Sequence, residues 1–239
     1  MSKSDTVLKV KGAYAAGARQ AGVALSRLGV MNDTPPSRDN RLRHWAYSLT
    51  KAYDSLAIAE LDVPWWTYRA IDVVDSWLSA HPKPIRVYEY GSGASTLWLS
   101  RRADEVYTVE HHRGFAEHIA PTLAGQPNIH MRIVEPVPSS SPVVSSQKEG
   151  NADLDFADYV NSIGAVDGEF SLIVIDGRAR EACLRAAIPR LDPDGLIVFD
   201  NTRRRRYREA IAAAGVHERV LRGLTPTLPY ADQTSLITL

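Results

Sequence analysis

Apolar positions recur at helical spacing through the first quarter of the chain and in short, strand-like runs thereafter. Residues 1–62 hold two helical patterns, over residues 7–28 and 40–61, parted by the turn-forming Asp33-Thr-Pro-Pro-Ser37. Asp62-Val-Pro-Trp-Trp66 then reads as the entry to a third helix, with Pro64 in its first turn and Ile71, Val74 and Leu78 along its apolar side. From Ile85 the spacing switches. Five runs, at 85–90, 105–110, 128–134, 170–176 and 195–200, alternate with helical segments at 95–102, 113–123, 180–190 and 204–214. That alternation predicts a mostly parallel sheet with helices on both faces. Residues 217–222 and 233–238, joined by a Pro-containing turn, predict a terminal antiparallel hairpin and bring the sheet to seven strands. The expected fold is a doubly wound α/β domain over residues 63–239 with a helical N-terminal cap over residues 1–62. The Ser- and Pro-rich stretch 136–150 is expected to be a mobile loop.

Composition narrows the function classes without choosing one. The 28 Lys and Arg balance 28 Asp and Glu, so no global field draws the chain toward nucleic acid or anionic lipid. Arg203-Arg-Arg-Arg-Tyr-Arg208 is the one dense basic run. It opens a helix and carries a single aromatic, which favours a solvated helix face and leaves Tyr207 as a candidate substrate contact. The lone cysteine, Cys183, excludes an internal disulfide framework, and no Cys/His cluster has zinc-ligand spacing; a reducing cytoplasm is the expected compartment. The segment 7–30 is broken by Lys9, Lys11, Arg19 and Arg27, so neither a membrane span nor a signal peptide is expected. Its helix is expected to cover the core, with a place on a membrane surface or contact to a second copy in a homo-oligomer as the alternatives.

The chemistry concentrates in Val87-Tyr-Glu-Tyr-Gly-Ser-Gly-Ala-Ser-Thr96, a strand that runs into a glycine turn and opens a helix. Gly91 and Gly93 let the backbone turn sharply and approach a ligand closely. The next strand ends in Glu110, 17 residues beyond Gly93, about where a carboxylate meets a ribose. Together the two features suggest an adenosine-containing cofactor. The third glycine of the dinucleotide fingerprint would fall at Thr96, which disfavours an NAD-linked oxidoreductase.

These residues resemble motif I of the class I S-adenosylmethionine-dependent methyltransferases, with their Rossmann-like fold. The likeness extends through Phe170-Ser-Leu-Ile-Val-Ile-Asp-Gly-Arg-Ala-Arg180, Leu191-Asp-Pro-Asp-Gly-Leu-Ile-Val-Phe-Asp-Asn201, Gly223-Leu-Thr-Pro226 and Thr234-Ser-Leu236. The resemblance implies that Glu89, Tyr90, Gly91, Ser92 and Gly93 surround the methionine end of S-adenosylmethionine. It further implies that Glu110 binds the ribose and that His111 lines the adenine. Trp65 and Trp66 precede the first strand in a segment that closes over the site in similar proteins, so one is expected in the core and the other as a substrate wall.

In the catechol-type members an Asp and an Asp-Asn pair hold magnesium, and Asp176, Asp200 and Asn201 match those positions. The lysine base expected shortly after the first Asp is absent, since Gly177-Arg-Ala-Arg180 stands there. Magnesium is therefore the less favoured reading. In the other, Asp176 orients cofactor or substrate while Asp200 and Asn201 cap the following helix. Asp176 and Asp200 are the catalytic candidates. Arg178 is a candidate clamp for a carboxylate or phosphate, and Arg180 is expected at the surface. The function these expectations describe is methyl transfer to a small-molecule acceptor, with oxygen the favoured atom. A noncatalytic, cofactor-binding scaffold of the same fold is the second alternative beside the oxidoreductase.

Overall fold

A computed structural model of the chain describes Gly17, residues 34–51 and residues 58–239. The first expected helix and any subunit contact through it lie outside the described residues. Over 34–51 the chain forms α1 (Arg41–Ser48) and a 3-10 turn (Leu49–Lys51). The third helix, α2 (Tyr68–Ala80), starts later than expected. Pro64 lies ahead of it, and the Thr67 side chain caps it by accepting from Ala70 N.

The remaining elements alternate as expected. They are β1 (Arg86–Tyr90), α3 (Ala94–Ser100), β2 (Glu105–Glu110), α4 (Arg113–Leu123) and β3 (Ile129–Ile133), followed by two short strands, β4 (Val137–Pro138) and β5 (Leu154–Asp155). Then come α5 (Ala157–Asn161), β6 (Phe170–Ile175), α6 (Arg180–Ala187), β7 (Leu191–Asp200), α7 (Arg205–Ala213), β8 (His217–Gly223) and β9 (Asp232–Thr238). The Ser/Pro-rich stretch does more than loop. β4 pairs with β5, and Asp155 accepts from the backbone N–H groups of Val143, Val144 and Ala157. β7 begins four residues earlier than Gly195, because Leu191 pairs with Phe170 across a register shift.

The seven strands run in the order β3-β2-β1-β6-β7-β9-β8. The first five are parallel, and β9 is antiparallel to both β7 and β8. Alternate side chains go to opposite faces of each strand. Val87, Val106, Leu172, Val174 and Val198 pack on one side with α2, α3 and α4. Tyr88, Tyr90, Val109, Ile173, Ile175 and Phe199 pack on the other with α5, α6 and α7. Both faces are covered, as a parallel sheet requires.

Strand order reverses between β1 and β6, and the carboxyl ends of the parallel strands open onto a crevice there. Residues 34–51 are fastened beside it. Trp45 Nε1 donates to Leu228 O at 2.9 Å, Thr227 N donates to Ser48 Oγ at 2.9 Å, and the Arg38 guanidinium pairs with Asp75 of α2.

Candidate active site

A cleft of about 600 Å³ lies at this switch point. Its first half is built largely from backbone. After β1 the chain turns through Gly91, whose φ of +98° is in the left-handed region. A Cβ there would stand 2.8 Å from the Gly177 backbone, so this position requires glycine. Gly93 is extended instead, at φ 169°, and a Cβ on it would meet nothing within 4 Å. It lines the cleft, and its bareness leaves room for a ligand. The Gly93 N–H donates to Thr96 Oγ1 at 2.9 Å, which explains why a threonine serves where the dinucleotide motif has glycine.

Glu110, 3% exposed, faces this turn from the end of β2. Its Oε2 accepts from Ser92 N at 3.1 Å, and Oε1 accepts from His111 N at 3.0 Å and His112 N at 2.9 Å. Three backbone donors fix the carboxylate and leave an acceptor position of its roughly four for a ligand hydroxyl. The His111 ring lines the cleft, with Nδ1 2.8 Å from Glu110 Oε1 but out of line for a hydrogen bond.

Three residues expected at the cofactor or substrate sit behind the wall. Glu89 shares the face of Val87, is fully buried, and accepts from the hydroxyls of Ser95, Thr96 and Thr108. It ties α3 to β1 and β2 and does not reach the cleft. Burial pushes its carboxyl up to about 7, against the three hydroxyl donors that pull it down. Tyr90 points to the opposite face, where its hydroxyl donates to Val160 O at 2.7 Å. Trp66 is fully buried edge-on against Trp98, whereas Trp65 lines the cleft with its buried Nε1 unpartnered.

The second half is built from side chains. β6 ends in Ile175, and Asp176, Gly177 and Arg178 follow along the wall. Arg180 is not at the surface: it is 5% exposed and turned inward. Its Nε donates to Gly177 O at 3.0 Å, Nη1 to Asp200 O at 2.7 Å, and Nη2 to the Asp176 carbonyl and to Asp176 Oδ1 at 2.7 Å. Burial raises the Asp176 carboxyl above its ordinary range while Arg180 and Arg178 hold it back. Burial, and then the Asp176 charge, raise Asp200 well above it.

Asp200 and Asn201 do not cap α7, whose first turn begins four residues beyond Asn201. Asp200 Oδ1 accepts from Thr234 Oγ1 at 2.8 Å, and Asn201 Nδ2 donates to Asp232 Oδ2 at 3.0 Å. Both are drawn to β9. Tyr207, 4% exposed, packs on Phe199, and its hydroxyl accepts from Arg204 and Arg206, so it does not line the cleft. Arg178 does line it, with Nε buried and unpartnered and Nη1 making one long bond, 3.4 Å, to Gly177 O.

Thr227, Leu228, Tyr230 and Asp232 close the cleft and were not among the expected site residues. The topology held a signal for them: a hairpin whose second strand runs antiparallel to β7 must place its turn at the carboxyl edge.

The metal reading meets a poor fit. Among the described residues no group of three or more His, Cys, Asp and Glu is arranged to hold an ion. The matching positions are spoken for, Asp176 by a guanidinium, Asp200 by a hydroxyl and Asn201 by a carboxylate. S-adenosylmethionine fits better. The bare Gly93, the preset Glu110 and the unpartnered Trp65 Nε1 and Arg178 Nε all border one cavity.

A glycine turn facing an acid across the switch point of a doubly wound sheet is where folds of this kind place nucleoside ligands. A family model described as a methyltransferase domain matches residues 88–202, just under half of the chain and the part that builds most of this cleft. Over those residues the chain is similar to the methyltransferase-domain family. A search of curated protein sequences returns no match.

Solved structures of similar fold include an rRNA methylase from Streptococcus thermophilus, 13% identical, covering 71% of this chain and 96% of that one with a TM-score of 0.49. Precorrin 8w decarboxylase from Methanobacterium thermoautotrophicum is 16% identical over 73% of this chain and 91% of that one, TM-score 0.48. Precorrin-6y C5,15-methyltransferase from Geobacter metallireducens is 14% identical over 71% and 86%, TM-score 0.45.

Proposed function

We propose that this enzyme methylates a hydroxyl oxygen of a small anionic molecule in the cytoplasm. The observation that carries the acceptor class is Arg178, a cation on the cleft wall whose buried Nε has no partner. Burial, and then the neighbouring Arg180, weaken its hold on its proton, so a carboxylate or phosphate docked against it would satisfy both charge and hydrogen bonding. The basic run supports a small molecule over a nucleic acid. Arg203 donates to Ala231 O, Arg204 to Tyr207, Arg206 pairs with Glu181 and Arg205 with Glu209 at the surface, so four of the five arginines are engaged by separate groups of the chain itself.

Bound S-adenosylmethionine would supply a methyl carbon already activated by its sulfonium, the sulfur keeping the bonding pair. Glu110 and the Gly91–Gly93 turn would hold the donor, His111 would border its base, and Trp65 would keep water from the reacting atoms. Asp176 takes the hydroxyl proton. Its Oδ1 is engaged by Arg180, its Oδ2 is uncommitted, and its raised pKa brings it closer to neutrality, where a general base works best. Asp200, enclosed and bonded to Thr234, lines the same wall.

The test is transfer of labelled methyl groups to a panel of hydroxylated carboxylates and phosphates, their uncharged counterparts, and RNA. Incorporation into anionic hydroxy compounds is expected, with Arg178→Met raising the acceptor KM while cofactor affinity holds. Transfer confined to uncharged compounds or to RNA would overturn the acceptor class.

A further inference from the structure

Where β6 and β7 end, the carboxyls of Asp176 and the buried Asp200 line one cavity with Asn201, oxygen donors of the kind a hard divalent cation takes. Two such groups in a low-dielectric site need a compensating charge. The chain already provides one. Arg180 enters from the first turn of α6, and its guanidinium bridges both strand ends, spending four of its five N–H donors on Gly177 O, Asp200 O and the carbonyl and carboxylate of Asp176. The Tyr207 ring lies 5.8 Å from its central carbon and walls off the far side.

Such a group is neither a surface arginine nor a substrate clamp, because its donors are consumed by the protein. Burial alone would weaken its charge, but Asp176, then Tyr207 and Asp200, hold the proton on more firmly than in water. A guanidinium stays charged at any ordinary pH and needs no uptake from solution.

We propose that Arg180 is an internal cation standing where a divalent metal would: it pairs with the Asp176 carboxylate through Oδ1, holds that carboxylate in place, and makes the site refuse Mg²⁺ or Mn²⁺. This holds whichever acceptor the cleft takes. It also explains why the metal-binding residues of the catechol-type pattern are present while the lysine that works with the metal is not.

The test is direct titration of the full-length protein with Mn²⁺ alone, followed by calorimetry and by the paramagnetic resonance of the free ion. The wild type is expected to show no binding below millimolar concentrations and no change in Tm with Mg²⁺ or with a chelator. Arg180→Met, checked for folding by circular dichroism, should uncover the acidic pair and bind Mn²⁺ about 100-fold more tightly than the wild type. That gain should vanish in the Arg180→Met/Asp176→Asn double variant. Micromolar Mn²⁺ binding by the wild type that Asp200→Asn abolishes would overturn the proposal. So would a folded Arg180→Met protein that gains no affinity. The wild-type titration alone decides if the variant fails to fold.

Discussion

The two halves of the cleft reach rigidity by different means. On the β1–β2 side, main-chain groups do the positioning: a left-handed glycine, an extended glycine, and three N–H donors converging on Glu110. On the β6–β7–β9 side, side chains of distant origin hold one another, Arg180 to Asp176, Asp200 to Thr234, Asn201 to Asp232. In the proposed function the backbone-built half serves the cofactor, whereas the half built from side chains is free to change with the acceptor. Substitutions should therefore act differently on the two sides.

The largest effect is expected at Gly91→Ala. The methyl group would be forced against the Gly177 backbone in a left-handed conformation, which should cost about 4 kcal/mol in urea unfolding and abolish cofactor binding. A loss below about 1 kcal/mol would show that the turn is not constrained as described.

Next comes the pH dependence carried by Glu89. Its folded carboxyl sits at about 7 against an ordinary 4.5, so its contribution to stability is present below 4.5 and is lost as pH rises toward 7. Glu89→Gln cannot ionise. The stability of the wild type relative to this variant should fall by about 3 kcal/mol across that window, and parallel pH profiles would contradict the assignment.

Glu110→Ala tests the backbone-built half at its one essential side chain. Cofactor affinity should drop about 100-fold in calorimetry, the scale of losing ribose hydrogen bonds to a charged acceptor. Smallest of all is Arg205→Ala, at the exposed Arg205–Glu209 pair, where unfolding free energy should move by less than about 0.5 kcal/mol.

The same division explains what could be read in advance. β2 and α4 matched their expected bounds, and most other elements fell within a few residues, because hydrophobic spacing is a local property. Gly91, Gly93 and Glu110 were legible because a backbone turn and a strand-end acid leave a contiguous signature. Glu89 was misplaced because motif position does not say which face of β1 a side chain takes, nor that Ser95, Thr96 and Thr108 would enclose it. Arg180 was misread for a related reason. An arginine near a helix start is usually solvated, and its inward turn depends on carboxyl and carbonyl groups contributed by two strands. Pro64 misled through local preference, since Thr67 supplies the better cap three residues later.

The central claim is that the bare turn after β1 faces the methyl donor. Gly93 offers the most direct measurement, because its extended backbone tolerates any side chain and the space beside it is open. Calorimetric titration with S-adenosylhomocysteine should show one micromolar site in the wild type. The same titration should show none in Gly93→Val, whose Tm should be unchanged. A wild type that binds nothing, or a Gly93→Val protein that binds as well as the wild type, would contradict it.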